Sequence, residues 1–129
     1  MATRQDSETV LRHMNAHVVL VGNERDAARR REIVQATYLP DVSLYAPTGL
    51  FQGYTKLEEL FDGLVGSFSP GAEFEELGPV QTIGDLALQR WRLGKKGEKP
   101  LVTGSDVCIF GEDGRIARAY VLLDDTFKE

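Results

Sequence analysis

The sequence predicts an α+β fold in which three N-terminal helices pack on one face of a curved antiparallel sheet, and three features predict it. Apolar residues recur at helical spacing through the N-terminal half. Four strand-like runs then follow, divided by "GD", "KKGEK" and "GEDG", which are hairpin-turn sequences. Helices before consecutive hairpins, without βα alternation, argue against a doubly wound parallel sheet.

In "SETVLRHMNAHVVLVG" apolar residues at 10, 11, 14, 18 and 21 share one helical face, Ser7 caps the start, and Gly22 with Asn23 ends it. "ERDAARRREIVQATYL" is a second helix closed by Pro40. Its Arg29, Arg30 and Arg31 read as a solvated face paired with Glu24, Asp26 and Glu32, not as a phosphate patch. "DVSLYAPTGLFQG" is a short strand or hairpin. "YTKLEELFDGLVGSF" sets Leu57, Leu60, Phe61, Leu64 and Phe68 on one stripe of a third helix, which Pro70 and Gly71 end. The strands are "EFEELGPVQTIG", "DLALQRWRLGKK", "PLVTGSDVCIFG" and "RIARAYVLLDD".

With 129 residues and no linker or repeat, the chain is expected to form one domain over 1–129. Its net charge of -5 lacks the basic face that nucleic acid requires. The opening "MATRQDSETV" has no secretory apolar core, and the apolar run "VVLVG" is too short for a bilayer. One cysteine, Cys108, excludes an intrachain disulfide, so a cytoplasmic protein without membrane or nucleic-acid partners is expected.

A curved sheet closed by helices makes a cone with a pocket at its mouth. The question is then what Asp106 does in the middle of an otherwise apolar strand. Alternation puts Val102, Gly104, Cys108 and Phe110 on its face, with Ala87, Gln89, Trp91 and Leu93 on the next strand and Ala119, Val121 and Leu123 on the last. Among such neighbours an ionised carboxylate must find a donor, or take a proton and stay neutral. Gln89 and His17 are the candidate partners. His13 and His17 lie one turn apart, a zinc-compatible spacing, but no third ligand presents itself, so neither metal nor cofactor is expected. His13 reads as exposed, and Tyr38 and Tyr45 as packing. Ile116, Arg118, Tyr120 and Leu122, with Arg90 and Arg92, fall on the outer face and suggest a homodimer.

The segments "YLPDVSLYAPTGLFQGYTKLEELFDGL", "WRLGKKGEKPLVTGSDVCIFGEDGRI" and "AYVLLD" resemble the nuclear transport factor 2-like superfamily, and within it the SnoaL-like and ketosteroid isomerase-like branch. Pro47 and Gly49 match its first-strand turn, Gly53 the glycine before the third helix, and Asp106 with Phe110 its penultimate strand. The resemblance covers nearly the whole chain and implies a cystatin-like roll. It also implies that Asp106 matches the oxyanion-hole aspartate of the steroid isomerases. Their general base falls at Ala46, their first-helix tyrosine near His17 and a second tyrosine at Phe61. Shape is retained and three of four polar positions have changed.

The expected function is therefore proton transfer on a hydrophobic carbonyl compound, as in an isomerase, polyketide cyclase or dehydratase. Asp106 and His17 would be catalytic. Gln89, Trp91, Phe61, Leu93, Ala46, Cys108 and Val121 would bind substrate. The rival is a non-catalytic dimer that holds a hydrophobic ligand or a protein partner.

Overall fold

The computed structural model describes residues 7–111 and 113–124. Residues 1–6 of the opening "MATRQDSETV", Glu112 of the "GEDG" turn and Asp125 of the last run lie outside the described residues. Helix α1 (Ser7–Asn15), a π-helical turn (Ala16–Leu20) and α2 (Val21–Asn23) form one continuous rod, because Asn15, Leu20 and Val21 at the junctions all keep right-handed helical geometry. Helix α3 (Ala27–Thr37) starts on Asp26, whose Oδ1 accepts from the backbone N–H groups of Ala28 and Arg29 at 2.9 and 3.3 Å. It runs straight into β1 (Tyr38–Ala46), which turns back as β2 (Gly49–Gln52) and leads to α4 (Gly53–Ser67). Strands β3 (Ala72–Ile83), β4 (Leu86–Lys95), β5 (Val102–Phe110) and β6 (Ile116–Leu123) complete the chain.

The six strands lie in the order β2-β1-β6-β5-β4-β3. The four consecutive C-terminal strands pair antiparallel, as the hairpin sequences predict, and so do β1 and β2. The sheet is nevertheless mixed, because β1 runs parallel to β6. Parallel neighbours require a long crossover, and here β2, α4 and strands β3 to β5 supply it.

The helices cover one face. Met14, Val34 and Leu57, one from each helical layer, are buried together against Leu44 and Ala119 of the sheet. Leu11, counted on the first helix's apolar face, is exposed. The helical rod is fastened at its far end by Asn23, whose side-chain amide donates to Phe74 O at 3.0 Å and accepts from Phe74 N–H at 2.7 Å. That pair occupies backbone groups of the edge strand β3 that would otherwise lie open. No helix among the described residues is long and apolar enough to cross a membrane.

Three expectations need correction. Arg30 is not on a solvated face: it is buried, with one guanidinium nitrogen on Asp62 Oδ1 at 2.6 Å and another donating to Glu24 O. Asp26 serves as the α3 cap and not as an arginine partner. His13 is buried too, its Nδ1–H donating to Gly114 O at 2.5 Å, so it pins the first helix to the β5–β6 turn. Ile116 is fully buried, because the β5–β6 register slips between Ile109 and Phe110 and leaves Ala117 as an extra residue. Such a bulge reverses the inward and outward phase.

Candidate active site

Between the helices and the concave face of the sheet lies a cavity of about 290 Å³. Its walls are aliphatic and aromatic: Val18 and Val21 from the first helix, Leu60 and Leu64 from α4, Phe74 and Val102 from the sheet. Ala46, Pro47 and Thr48, at the turn between β1 and β2, line its mouth. Leu93, Val121, Leu123, Phe61 and Trp91 also face it, and so do His17 and Asp106.

Asp106 sits at the middle of β5, opposite Gln89 of β4 and Val121 of β6. Its side chain faces inward and the residue is only 6% exposed. Two donors meet it. Trp91 Nε1–H donates to Oδ1 at 2.7 Å, and His17 Nε2 lies 2.7 Å from Oδ2. The second contact is a close ion pair whose ring N–H does not line up on the oxygen. On its other side the His17 ring is hydrogen-bonded through Nδ1 to the Tyr38 hydroxyl at 2.5 Å. Trp91, Asp106, His17 and Tyr38 thus form one chain of polar groups inside an apolar wall.

Local structure explains each placement. Trp91 pairs with Gly104, diagonal to Asp106, and a Cβ on Gly104 would lie 2.6 Å from Trp91 Cζ2. Glycine at that position lets the indole lie across β5 and reach the carboxylate. The π-helical turn, the kind of interruption often found at functional sites, carries His17, whose side chain reaches across to Asp106 of β5. Tyr38, fully buried at the start of β1, stacks on Phe61 with ring centroids 6.3 Å apart. Its backbone carbonyl accepts from the Tyr54 hydroxyl at 2.7 Å and from Arg115 at 3.4 Å, so the chain there is held from two sides.

Burial works against a charge on His17, and the acidic groups around it, Cys108, Tyr38 and Asp106, work for one. The balance raises its pKa well above the ordinary imidazole value. Burial pushes the Tyr38 phenol up to about 12, so at neutral pH it is an uncharged hydroxyl.

Of the residues singled out in the sequence, Asp106, His17, Trp91, Phe61, Leu93, Ala46 and Val121 line the cavity together. Gln89 and Cys108 do not. Gln89 is fully buried on the inner face, but its Nε2–H donates to Gly78 O at 2.8 Å and Arg90 O at 3.0 Å, closing the register slip in β3. Cys108 lies one step deeper, packed with Ala87 and Ala119 beyond the cavity floor. Tyr38, read as packing, is a polar member of the site, and Trp91 supplies a hydrogen bond as well as a wall. Tyr45 points to the outer face, stacked on Tyr120 with centroids 4.9 Å apart. Arg90 and Arg92 are paired with Asp124 and Glu75 and take no part. Among the described residues no three His, Cys, Asp or Glu side chains gather as a metal site would need.

Comparison with solved structures places this architecture. A SnoaL-like family protein from Agrobacterium tumefaciens, provisionally named an isomerase, superposes with a TM-score of 0.81 at 23% identity, over 91% of this chain and 98% of that one. The fold is the SnoaL-like one. A protein from Sinorhizobium meliloti provisionally named a polyketide cyclase matches at a TM-score of 0.64 and 20% identity, over 85% of this chain and 93% of its own. One from Kribbella flavida provisionally named a ketosteroid isomerase matches at 0.68 and 13%, over 96% and 84%. Others are described as having a cystatin-like fold. No protein-family model and no curated protein sequence matches the chain.

Proposed function

We propose that the cone is an active site that removes a proton from the carbon beside a carbonyl group of a hydrophobic compound, the step shared by isomerase, cyclase and dehydratase chemistry. One observation carries this reading: a carboxylate inside an apolar cavity, held by the Trp91 hydrogen bond and the close His17 contact, with lone pairs left over. An indole N–H can only donate, so Oδ1 of Asp106 is an acceptor, and His17 faces the other oxygen with a donor too. That arrangement favours an ionised base over a protonated donor acid. Asp106 would take the substrate proton, His17 would balance its charge, and Trp91 would hold its angle.

The wall also bears on the substrate. Among the described lining residues none is Lys or Arg, and the N–H groups of Trp91 and His17 already face Asp106. A negative charge growing on the carbonyl oxygen is then best spread by conjugation within the substrate. Enones, β-dicarbonyls and aromatic polyketone-like compounds fit that requirement. The provisional names of the similar structures point the same way.

A second reading, a cone that binds a hydrophobic ligand without converting it, draws on Ala46 and Phe61, which stand where the steroid isomerases carry polar groups. The two separate in one experiment. The protein is incubated in D₂O with a panel of hydrophobic enones and β-dicarbonyls, and deuterium at the α-carbon is followed by NMR. Fluorescence of Trp91, the single tryptophan, reports occupancy. Catalysed exchange that falls at least ~10²-fold in Asp106→Asn, with ligand still bound, supports the enzyme. Saturable binding to the wild type with no exchange across the panel overturns it in favour of the binding module.

A further inference from the structure

The two histidines of the first helix lie one turn apart, both are buried, and both present Nδ1 to a partner at 2.5 Å, but the partners differ in kind. His13 faces the carbonyl oxygen of Gly114, which only accepts, so its Nδ1 must carry a proton. His17 faces the hydroxyl of Tyr38, which can accept or donate by rotating its O–H. His17 Nε2 lies 2.7 Å from a carboxylate oxygen. A bare ring nitrogen there would set lone pair against lone pair, so Nε2 keeps its proton. The atom free to gain or lose one is Nδ1, and only a hydroxyl partner suits both of its states.

We infer that Tyr38 is a positioning residue that holds the His17 ring in one orientation, Nε2–H toward Asp106, in both protonation states, so that His17 titrates at Nδ1, away from the cavity. The assignment rests on the reading of Asp106 and His17 as a catalytic pair, and it divides their labour. Tyr38 holds Nδ1 by a hydrogen bond and Nε2 rests against the Asp106 carboxylate as a close charge contact, leaving Asp106 as the group able to take a proton from substrate. The groups facing the His17 ring are Asp106 and Cys108 on β5 and Tyr38 on β1. Helix α4 brings Phe61 against Tyr38, and β4 brings Trp91 against Asp106, and neither of these adds a charge. Tyr38 is itself tied down, since Tyr54 and Arg115 both donate to its backbone carbonyl.

The test is the imidazole ¹⁵N spectrum of histidine-labelled protein across pH, in the wild type and in Tyr38→Phe. In the wild type the neutral form of His17 should be the Nε2–H tautomer, while His13 is the Nδ1–H tautomer. In Tyr38→Phe the imidazolium of His17 loses its acceptor. Its titration midpoint should fall by about one unit, the difference between a charged and a neutral hydrogen bond. An Nδ1–H tautomer for neutral His17, or an unchanged midpoint in folded Tyr38→Phe, overturns the assignment. If that variant does not fold, the wild-type tautomer decides alone. Deuterium exchange on carbonyl compounds is a separate readout, so failure of the enzyme reading and failure of the positioning role are told apart.

Discussion

At the scale of single residues, the His17–Asp106 pair couples stability to pH. The native pKa of His17 is raised above its unfolded value, so folding gains from its protonation. That contribution is fully present below the unfolded value of about 6.5 and is lost as pH rises through the higher native pKa. His17→Gln should therefore be destabilised most at pH 6–6.5, by about 3–5 kcal/mol if the carboxylate is left stranded. The gap from the wild type should narrow as pH climbs above about 6.5 and through the raised native value. Urea titrations of both proteins at several pH values measure it, and a gap that stays constant or widens would mean that His17 is not the proton-linked group. Asp106 and its inward direction were legible in the sequence, because period-two alternation in an apolar strand makes a lone carboxylate conspicuous. Trp91 and Tyr38 were not legible as polar partners. Their bonds depend on a diagonal contact over Gly104 and on how the first helix crosses the sheet, and neither is encoded in local spacing.

At the scale of elements, α4 begins on a residue whose conformation is the constraint. Gly53 has φ = 81°, and a Cβ there would stand 3.7 Å from Pro40 O, an ordinary contact. The cost of a side chain is thus one of backbone geometry and not of collision, and a β-branched residue suffers it most. Gly53→Val should lose roughly 1–3 kcal/mol. Gly63, in the middle of the same helix with open space around it, should gain about 0.5–1 kcal/mol as Ala. Equal melting temperatures for the two variants would show that the entry to α4 imposes no such demand. The helices, the hairpins and this glycine could all be read from periodicity and turn chemistry. What could not be read was phase across irregularities. The bulge at Ala117 turns Ile116 inward, and the slip in β3 between Leu77 and Gln81 draws the Gln89 amide away from the cavity. One extra residue in a strand changes the face of everything beyond it, and a pattern of apolar letters does not mark where it falls.

At the scale of the whole molecule, the convex face of the sheet carries an apolar patch that the described residues leave exposed. Tyr45 pairs in register with Tyr120 on one side and Leu50 on the other, and Leu122 follows on the same face of β6. Tyr45 is 41% exposed, Leu50 48% and Leu122 52%. The two tyrosine rings stack at 5°, making a flat platform next to the Arg90–Asp124 ion pair. Aromatic and aliphatic groups bordered by a charged pair have the makeup of an interface core and rim. We propose that two copies meet across this face. Tyr120→Glu should then give a monomer, because burying an unpaired carboxylate at a dimer centre costs several kcal/mol, while the outward position of the residue leaves the core alone. Sedimentation at micromolar concentration checks both species, and circular dichroism checks that the variant stays folded. A wild type that sediments as a monomer sinks the dimer. If the dimer forms and Tyr120→Glu breaks it, deuterium exchange in the monomer tells whether the cavity depends on it. The mouth residues Ala46, which ends β1, and Pro47, in the turn beyond it, follow Tyr45 directly, so a partner resting on Tyr45 would steady the rim through which ligand enters.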